Sequence, residues 1–341
     1  MALTTVSSDR LSTNVKTSNL GSELSKKVGE IKNLVINGNM KVHQRAQSVT
    51  GISSGYATAD RFYLRRNVSS TFNSNVTNGV LTLNNPSTST GFDVRHGIEW
   101  DDIFYGKTMT VSFNATAAVG GVDLTVEVMD GSIANTVATV AAHLTGTTTD
   151  VQDLVVTPVS GTRYEVTVDI PADADVSFTP DILRLRFGNA SAYASQTFTL
   201  SKVQFEFGSV ATEFEDRSFS QELALCKRYY QKSYSYPVVP GTASVNSGMI
   251  TGSVSDARTN RMDLGTRFEV EMRTTPTMTI HRPFSGGTGQ LENFGSGNGT
   301  SAGNGRTFTM RGLGRKGFAG FTLDSDTGGT LGYHYQADAE V

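Results

Sequence analysis

Apolar and polar residues alternate along most of this chain in short runs, and glycine, asparagine and proline separate the runs. Val203, Phe205 and Phe207 take every second position with Gln204 and Glu206 between them, as in a strand that buries one face. Phe62 and Leu64 alternate in the same way against Arg61, Tyr63 and Arg65. Further strands are expected at 68–72, 79–83, 92–98, 107–115, 122–129, 153–158, 164–170, 182–187 and 197–207. Turn signals such as Asn78-Gly79, Gly120-Gly121, Ser160-Gly161 and Pro171 lie between them. About ten short strands without crossover helices predict an antiparallel sandwich and argue against a parallel α/β sheet.

The period changes after Phe207. A Gly208-Ser209 turn leads to Leu223, Cys226 and Tyr230 at helical spacing, with Leu225 and Tyr229 beside them. Ser218 followed by Gln221 is the pattern of a capping box, which satisfies the free N–H groups of a starting helix. A helix is therefore expected within 218–235, too short to persist in water unless docked. Leu223, Cys226, Tyr229 and Tyr230 are predicted to hold it as the joint between two β domains.

The second domain, 236–341, has candidate strands at 243–254, 267–272, 277–281, 307–311, 317–323 and 331–336. The tract SGGTGQLENFGSGNGTSAGNG between them reads as a long loop. Ahead of the first domain, 33–217, lies a polar segment, 1–32, with Leu20, Leu24, Val28 and Ile31 spaced near a coiled-coil seam. This segment is expected to be a helical or extended arm for attachment or oligomerisation. At Asn33 the texture changes to NLVINGNMKVHQR, whose Asn37-Gly38 pair predicts a turn with both central residues at positive φ.

Composition narrows the chemistry. The chain has 341 residues, a net charge of -3 and no basic patch that would announce nucleic-acid binding. No run of 18 apolar residues predicts membrane insertion. The segment MALTTVSSDRLSTN lacks the basic and apolar regions of a secretory leader, so synthesis in a cytoplasm is expected. The single cysteine, Cys226, excludes an intramolecular disulfide and sits in an apolar helical stripe, where a small buried residue is expected.

Candidate sites are sparse. Trp100 stands beside Glu99, Asp101 and Asp102, and an aromatic ring with polar rims suits a sugar. Adjacent aspartates point to different faces, however, so they form no glycosidase pair. Tyr333 and Tyr335 flank His334, and both rings are candidates for stacking on a sugar, although the alternation also suits a core. His43, His96, His143, His281 and His334 show no metal-binding spacing, and no nucleophile elbow or phosphate loop is present. Asp60, Glu206 and Glu215 are oxygen ligands that a structural calcium would use, but their spacing does not support one. The sequence thus predicts no catalytic residue, no metal and no cofactor.

The two ends of the first domain carry a resemblance. NLVINGNMKVHQR with ADRFY looks like the start of a β-sandwich that recurs in bacteriophage tail-fibre and minor structural proteins. VQFEFGSVATEFEDRSFSQELALCKRYYQKSY is similar to the family's other hallmark, a VQLE-type strand, a G-x-x-A-T-x-F-E-x-R segment and an E-L-x-L-C-x-R-Y-Y helix. The first block also resembles the opening strand of galactose-binding-like jelly rolls. The resemblance spans residues 33 to about 234 and implies a jelly roll whose first and last strands lie close, with 34–36 beside 203–207. It further implies a virion structural protein, a homotrimeric tail fibre that binds a host surface glycan or outer-membrane component. Residues 1–32 would then contact other virion proteins. A head-attached fibre, decoration protein or baseplate adaptor is the alternative, and a glycan-degrading tail spike is disfavoured by the missing solenoid repeat.

Overall fold

The computed structural model describes residues 32–66, 71–84, 92–116, 122–129, 142–143, 154–156, 162–173, 181–188, 197–253, 261–294, 304–323 and 330–340. The expected arm, 1–32, lies outside these apart from Lys32. The chain is mostly β, an antiparallel sandwich of jelly-roll type followed by a short helix and a smaller β module.

Alternating apolar residues build the first sandwich. In chain order its strands are β1 (Ser48–Ile52), β2 (Ser54–Tyr56), β3 (Phe62–Arg66), β4 (Phe72–Thr77), β5 (Val80–Asn84) and β6 (Phe92–Glu99). Then come β7 (Thr108–Thr116), β8 (Val122–Met129), β9 (Ala142–His143), β10 (Leu154–Val156), β11 (Arg163–Asp169), β12 (Ile182–Gly188) and β13 (Thr197–Phe207). One sheet has the order β1-β4-β5-β13-β7-β11 and the other β10-β8-β12-β6-β3-β2, with β9 on β8. Phe62, Leu64, Val94, Phe113, Leu185, Phe187, Leu200 and Phe205 are buried between them.

Of the strand expected at 68–72, positions 68–70 lie outside the described residues; strand β4 runs from Phe72 to Thr77 and pairs with β5 across the Asn78-Gly79 turn. Both turn residues have positive φ, 51° and 75°, the conformation that favours this pair in a two-residue hairpin. The Asn37-Gly38 pair differs from expectation. Asn37 is left-handed at φ 61°, but Gly38 is not among the positive-φ residues. Gly38 is required for close approach: a Cβ there would lie 2.0 Å from the Val203 carbonyl oxygen. As expected, residues 34–36 lie against β13, with Leu34 N donating to Phe205 O at 2.9 Å.

Gln204 and Glu206 were expected to face water, and both are buried. The chain after β13 folds back over them: Thr212 N donates to Glu206 Oε1 at 2.9 Å and Glu215 N to Gln204 Oε1 at 2.8 Å. This strap leads into helix α1 (Phe219–Lys227), capped as predicted by Ser218 and Gln221. The helix ends sooner than 235. From Tyr230 the backbone finds a better set of partners in a sheet, and Tyr230–Lys232 becomes strand β14.

The second module contains β15 (Ile250–Ser253), β16 (Arg261–Arg267), β17 (Thr277–His281) and β18 (Gln290–Asn293). It continues with β19 (Asn304–Thr307), β20 (Thr309–Gly314), β21 (Gly317–Leu323) and β22 (Thr330–Asp338). Its hub is β22, which pairs with β14, β15, β17 and β18; the strands β16-β21-β20 form a separate three-stranded sheet. Phe268, Met272, Ile280, Leu291, Phe318, Leu331, Tyr333, Tyr335 and Ala337 make its core.

Candidate functional site

The joint between the modules is built where two arginines of the first meet two carboxylates at the end of the second. Arg45 Nη2 lies 2.8 Å from Asp338 Oδ2, and its Nη1 3.4 Å from Glu340 Oε1. Arg61, only 1% exposed, pairs with Glu340 and donates to Gly97 O at 2.6 Å. Buried guanidinium groups need such partners, and of Arg61's side-chain nitrogens only Nε is left without one among the described residues. Each is also stacked on an aromatic face, Arg45 3.7 Å from the Tyr230 ring centre and Arg61 3.4 Å from that of Tyr229.

The helix and its C-terminal turn hold these rings in place. Tyr229 packs with Met129 and Ile182 and donates its hydroxyl to Glu99 Oε1 at 2.6 Å. Burial pushes the Tyr229 phenol up to about 12. Burial would also raise Glu99, but hydrogen bonds from Arg228 and Tyr229 outweigh it and hold that carboxyl below its usual range. Tyr230 donates to Gln336 Oε1 at 2.7 Å. Beneath it, Asp60 accepts from Gln44 N at 2.9 Å and Gln44 Nε2 at 2.7 Å, and burial raises its carboxyl to about 6. Lys232 donates to three carbonyls, Gln44 at 2.5 Å, Val238 at 2.6 Å and Tyr236 at 2.8 Å; burial lowers its ammonium to about 8.

Of the predicted joint residues, Cys226, Tyr229 and Tyr230 are buried at this contact, and burial pushes the Cys226 thiol well up. Leu223 is only half-buried. Its neighbour Glu222 is the helix residue turned inward, accepting from Asn37 N at 2.7 Å and Arg217 Nη1 at 3.2 Å. Lys227 and Arg228, at the end of the helix, reach across to Glu269 and Glu99. Charged residues dominate the joint, and nothing local in the sequence marks them, because their partners lie up to 295 positions away.

The expected ligand residues fare differently. Tyr333 and Tyr335 are buried at 0% and 4% exposure, so neither ring is offered to a sugar. Both point into the second core, where Tyr333 shares a hydrogen bond with Thr266 and Tyr335 packs on Phe318 and Phe268. Alternation put them on one face correctly; that face is the inner one. Trp100 is half-buried between Phe104 and Tyr105, its indole N–H donating to Asp102 Oδ1 at 3.2 Å. The carboxylates of Asp60, Glu206 and Glu215 take different partners: Asp60 binds Gln44, Glu206 binds Thr212 and Gln204, and Glu215 accepts from Asn33 N at 2.7 Å. Among the described residues no three histidine, cysteine or carboxylate groups converge on a possible ion.

A concavity that the sequence did not reveal lies on the outer face of the β13 sheet. It has a volume of about 820 Å³, within the range of small-molecule sites. One wall is the strap, Ala211–Phe214 with Asp216; the floor is Asn114 of β7, Arg163 and Glu165 of β11, and Lys202 of β13. Asn39, Lys41 and the Asn78-Gly79 turn close the far side. Lys202 sits at a bulge in the pairing of β13 with β7 and has a left-handed φ of 49°, and a bulge re-aims a side chain in this way. Lys41 Nζ lies 2.6 Å from Asp216 Oδ1, and hydrogen bonds from Lys41 and Asn39 hold the Asp216 carboxyl below its usual range.

No protein-family model matches the chain, and no curated protein matches it. Among solved structures it is similar to the enzymatically active domain of tailspike protein 4 of bacteriophage CBA120, at 12% identity and a TM-score of 0.29. That match covers 51% of this chain and 21% of the tailspike domain, so the chain spans about a fifth of that length. A CBM4 structure matches at 14% identity and a TM-score of 0.27, over 43% of this chain and 95% of its own. The CBM22 tandem domain of Xyn10C from Paenibacillus barcinonensis matches at 12% identity and a TM-score of 0.23, over 88% and 91%. Likenesses this distant carry no weight for function; what is established is an antiparallel β-sandwich protein.

Proposed function

We propose that this protein is a non-catalytic virion structural component, most simply a phage tail fibre that binds a host surface glycan. The observation that carries the reading is how the two sequence blocks of the phage resemblance interlock. Asn33 Nδ2 donates to Val203 O at 2.9 Å and its Oδ1 accepts from Phe205 N at 3.1 Å. Glu215 accepts from Asn33 N, Glu222 accepts from Asn37 N, and Arg217 donates to Asn33 O. The polar residues of the closing motif thus have the opening motif as their partners, which gives both motifs one physical purpose. Under this reading the jelly roll is a shoulder module and the second module is distal. Three copies assemble, residues 1–32 attach them to other virion proteins, and the chain is made in the host cytoplasm.

Purified full-length protein is expected to adsorb to host cells, to leave host polysaccharide uncut and to scatter light as three times 36.5 kDa. Absent adsorption together with capsid or baseplate labelling by specific antibody would replace the fibre by a decoration or adaptor protein. Robust polysaccharide cleavage would overturn the non-catalytic reading.

A further inference from the structure

We propose that the cleft between the strap and the outer face of the β13 sheet is a saccharide-binding site, and that it takes a neutral oligosaccharide. This assignment rests on reading the protein as a glycan-binding appendage and names the place and the ligand class.

Charge decides the class. Lys41, Arg163 and Lys202 bring three positive charges to the lining, and Glu165, Glu213 and Asp216 bring three negative ones. Lys41 is paired with Asp216, and Arg163 Nε lies 3.6 Å from Glu165 Oε1. The lining therefore has no net field to favour a phosphate, a uronate or nucleic acid. What it offers is a dense set of donors and acceptors. Asn78 and Asn114 present amides, whereas the buried Asn39 amide is committed to Asp216, Arg217 and Lys41, and the side chains of Asn114 and Glu213 form no hydrogen bond within the described residues. Vicinal hydroxyls, each donor and acceptor at once, match paired amides and carboxylates. Phe214 supplies a ring on the strap wall against which the apolar face of a hexose can lie.

The walls are fixed in advance. Thr212 is bound through both its N–H and its hydroxyl to the buried Glu206, whose other contact is Gln204 Nε2 at 2.7 Å. Arg163 Nη2 is held by Ser112 Oγ at 2.6 Å. A ligand entering such a cleft orders little protein, which favours weak, hydroxyl-rich ligands that rigid sites alone can hold.

The test uses the full-length protein on immobilised glucose-, galactose-, mannose- and N-acetylglucosamine-based oligosaccharides, with glucuronate- and sialate-bearing ones alongside. Asn114→Ala, Glu213→Gln and Phe214→Ala are compared, each first checked for an unchanged melting profile. The wild type is expected to bind at least one neutral oligosaccharide more tightly than its acidic counterparts. Asn114→Ala and Glu213→Gln should each weaken it roughly two- to tenfold, the worth of one hydrogen bond. If Phe214→Ala melts early, the other two variants carry the test. No neutral binding, a preference for acidic sugars, or undiminished binding by the variants would overturn the assignment. Host-cell adsorption is read separately. Adsorption that survives in the variants keeps the appendage reading and discards the cleft, whereas wild-type oligosaccharide binding without adsorption keeps the cleft and discards the appendage.

Discussion

Replacing Glu340 by alanine tests whether the joint is held from the second module's end. Arg61 is 1% exposed and Glu340 is its carboxylate partner, while Arg45 loses its 3.4 Å contact to the same group. Breaking a buried pair by removing one member costs about 3–5 kcal/mol, because the remaining charge stays buried. Arg61 keeps the Gly97 carbonyl and the Tyr229 ring face, which places the loss near the lower end, about 3 kcal/mol. If the second module of about a hundred residues melts as its own unit, each kcal/mol moves its Tm by about 4–8 °C, so a drop of about 12–24 °C is expected. Calorimetry and urea titration with near-UV circular dichroism read this directly. A second arm separates the pair from mere truncation. Arg61→Met with Glu340→Met replaces the ions by apolar groups of similar reach, and such exchanges are often neutral or stabilising. The double variant should therefore recover most of what Glu340→Ala loses. A Glu340→Ala midpoint within about 0.5 kcal/mol of wild type, the range of an ordinary surface change, would refute the joint described here.

Four further outcomes follow from named contacts. His96 is buried, its Nε2 bonded to Ile36 O at 3.0 Å, and burial and the nearby Arg61 hold its imidazole well below the usual 6.5. Its folded pKa lies below the unfolded one, so its contribution is full above about pH 6.5 and is lost as pH falls. Urea midpoints should fall from pH 7.5 to 5 and flatten in His96→Gln. Asp60 acts oppositely, since its folded pKa of about 6 lies above the unfolded value and protonation favours the fold. Asp60→Asn should accordingly steepen the acid loss, and an unaltered slope would contradict the buried carboxylate. Gly38→Ala should destabilise by about 1–3 kcal/mol through overpacking against Val203 O, which a urea titration would show as a lowered midpoint. Ser218→Ala removes the cap of α1 and should lower stability by about 1 kcal/mol, read in the same way.

How far the sequence carried depends on which forces act locally. The strands of the first sandwich were legible where apolar residues alternate, as in β3 and β13, because burial of one face imposes that period. Strand β4, Phe-Asn-Ser-Asn-Val-Thr, was not legible beyond Phe72 because its inward positions include Ser74, although the Asn78-Gly79 turn after it was plain. The helix start was legible from its capping box; its end was not, since β14 exists only because residues 336–338 offer a ladder a hundred positions later. In the joint, Cys226, Tyr229 and Tyr230 showed as apolar residues at helical spacing. Glu222, Arg45, Arg61 and Glu340 did not, because a charged residue reads as surface until its partner is known. The cleft was invisible for the same reason: its lining comes from separate polar segments that only the folded sheet assembles.

The placement of β22 has a bearing on how the molecule is made. Every strand it pairs with precedes it, and Asp338 stands opposite both Tyr230 and Thr277. During synthesis the first sandwich can close once β13 has emerged, since its partners β5 and β7 are already present. The second module has no centre until residues 330–338 appear, and until then β14, β15, β17 and β18 present open edges that invite pairing between chains. Under the proposed assembly of copies, each chain emerges with its first module finished while its second module is still open. Glu340 reaches Arg61 only after β22 is seated, so formation of the joint reports that the second module has been completed.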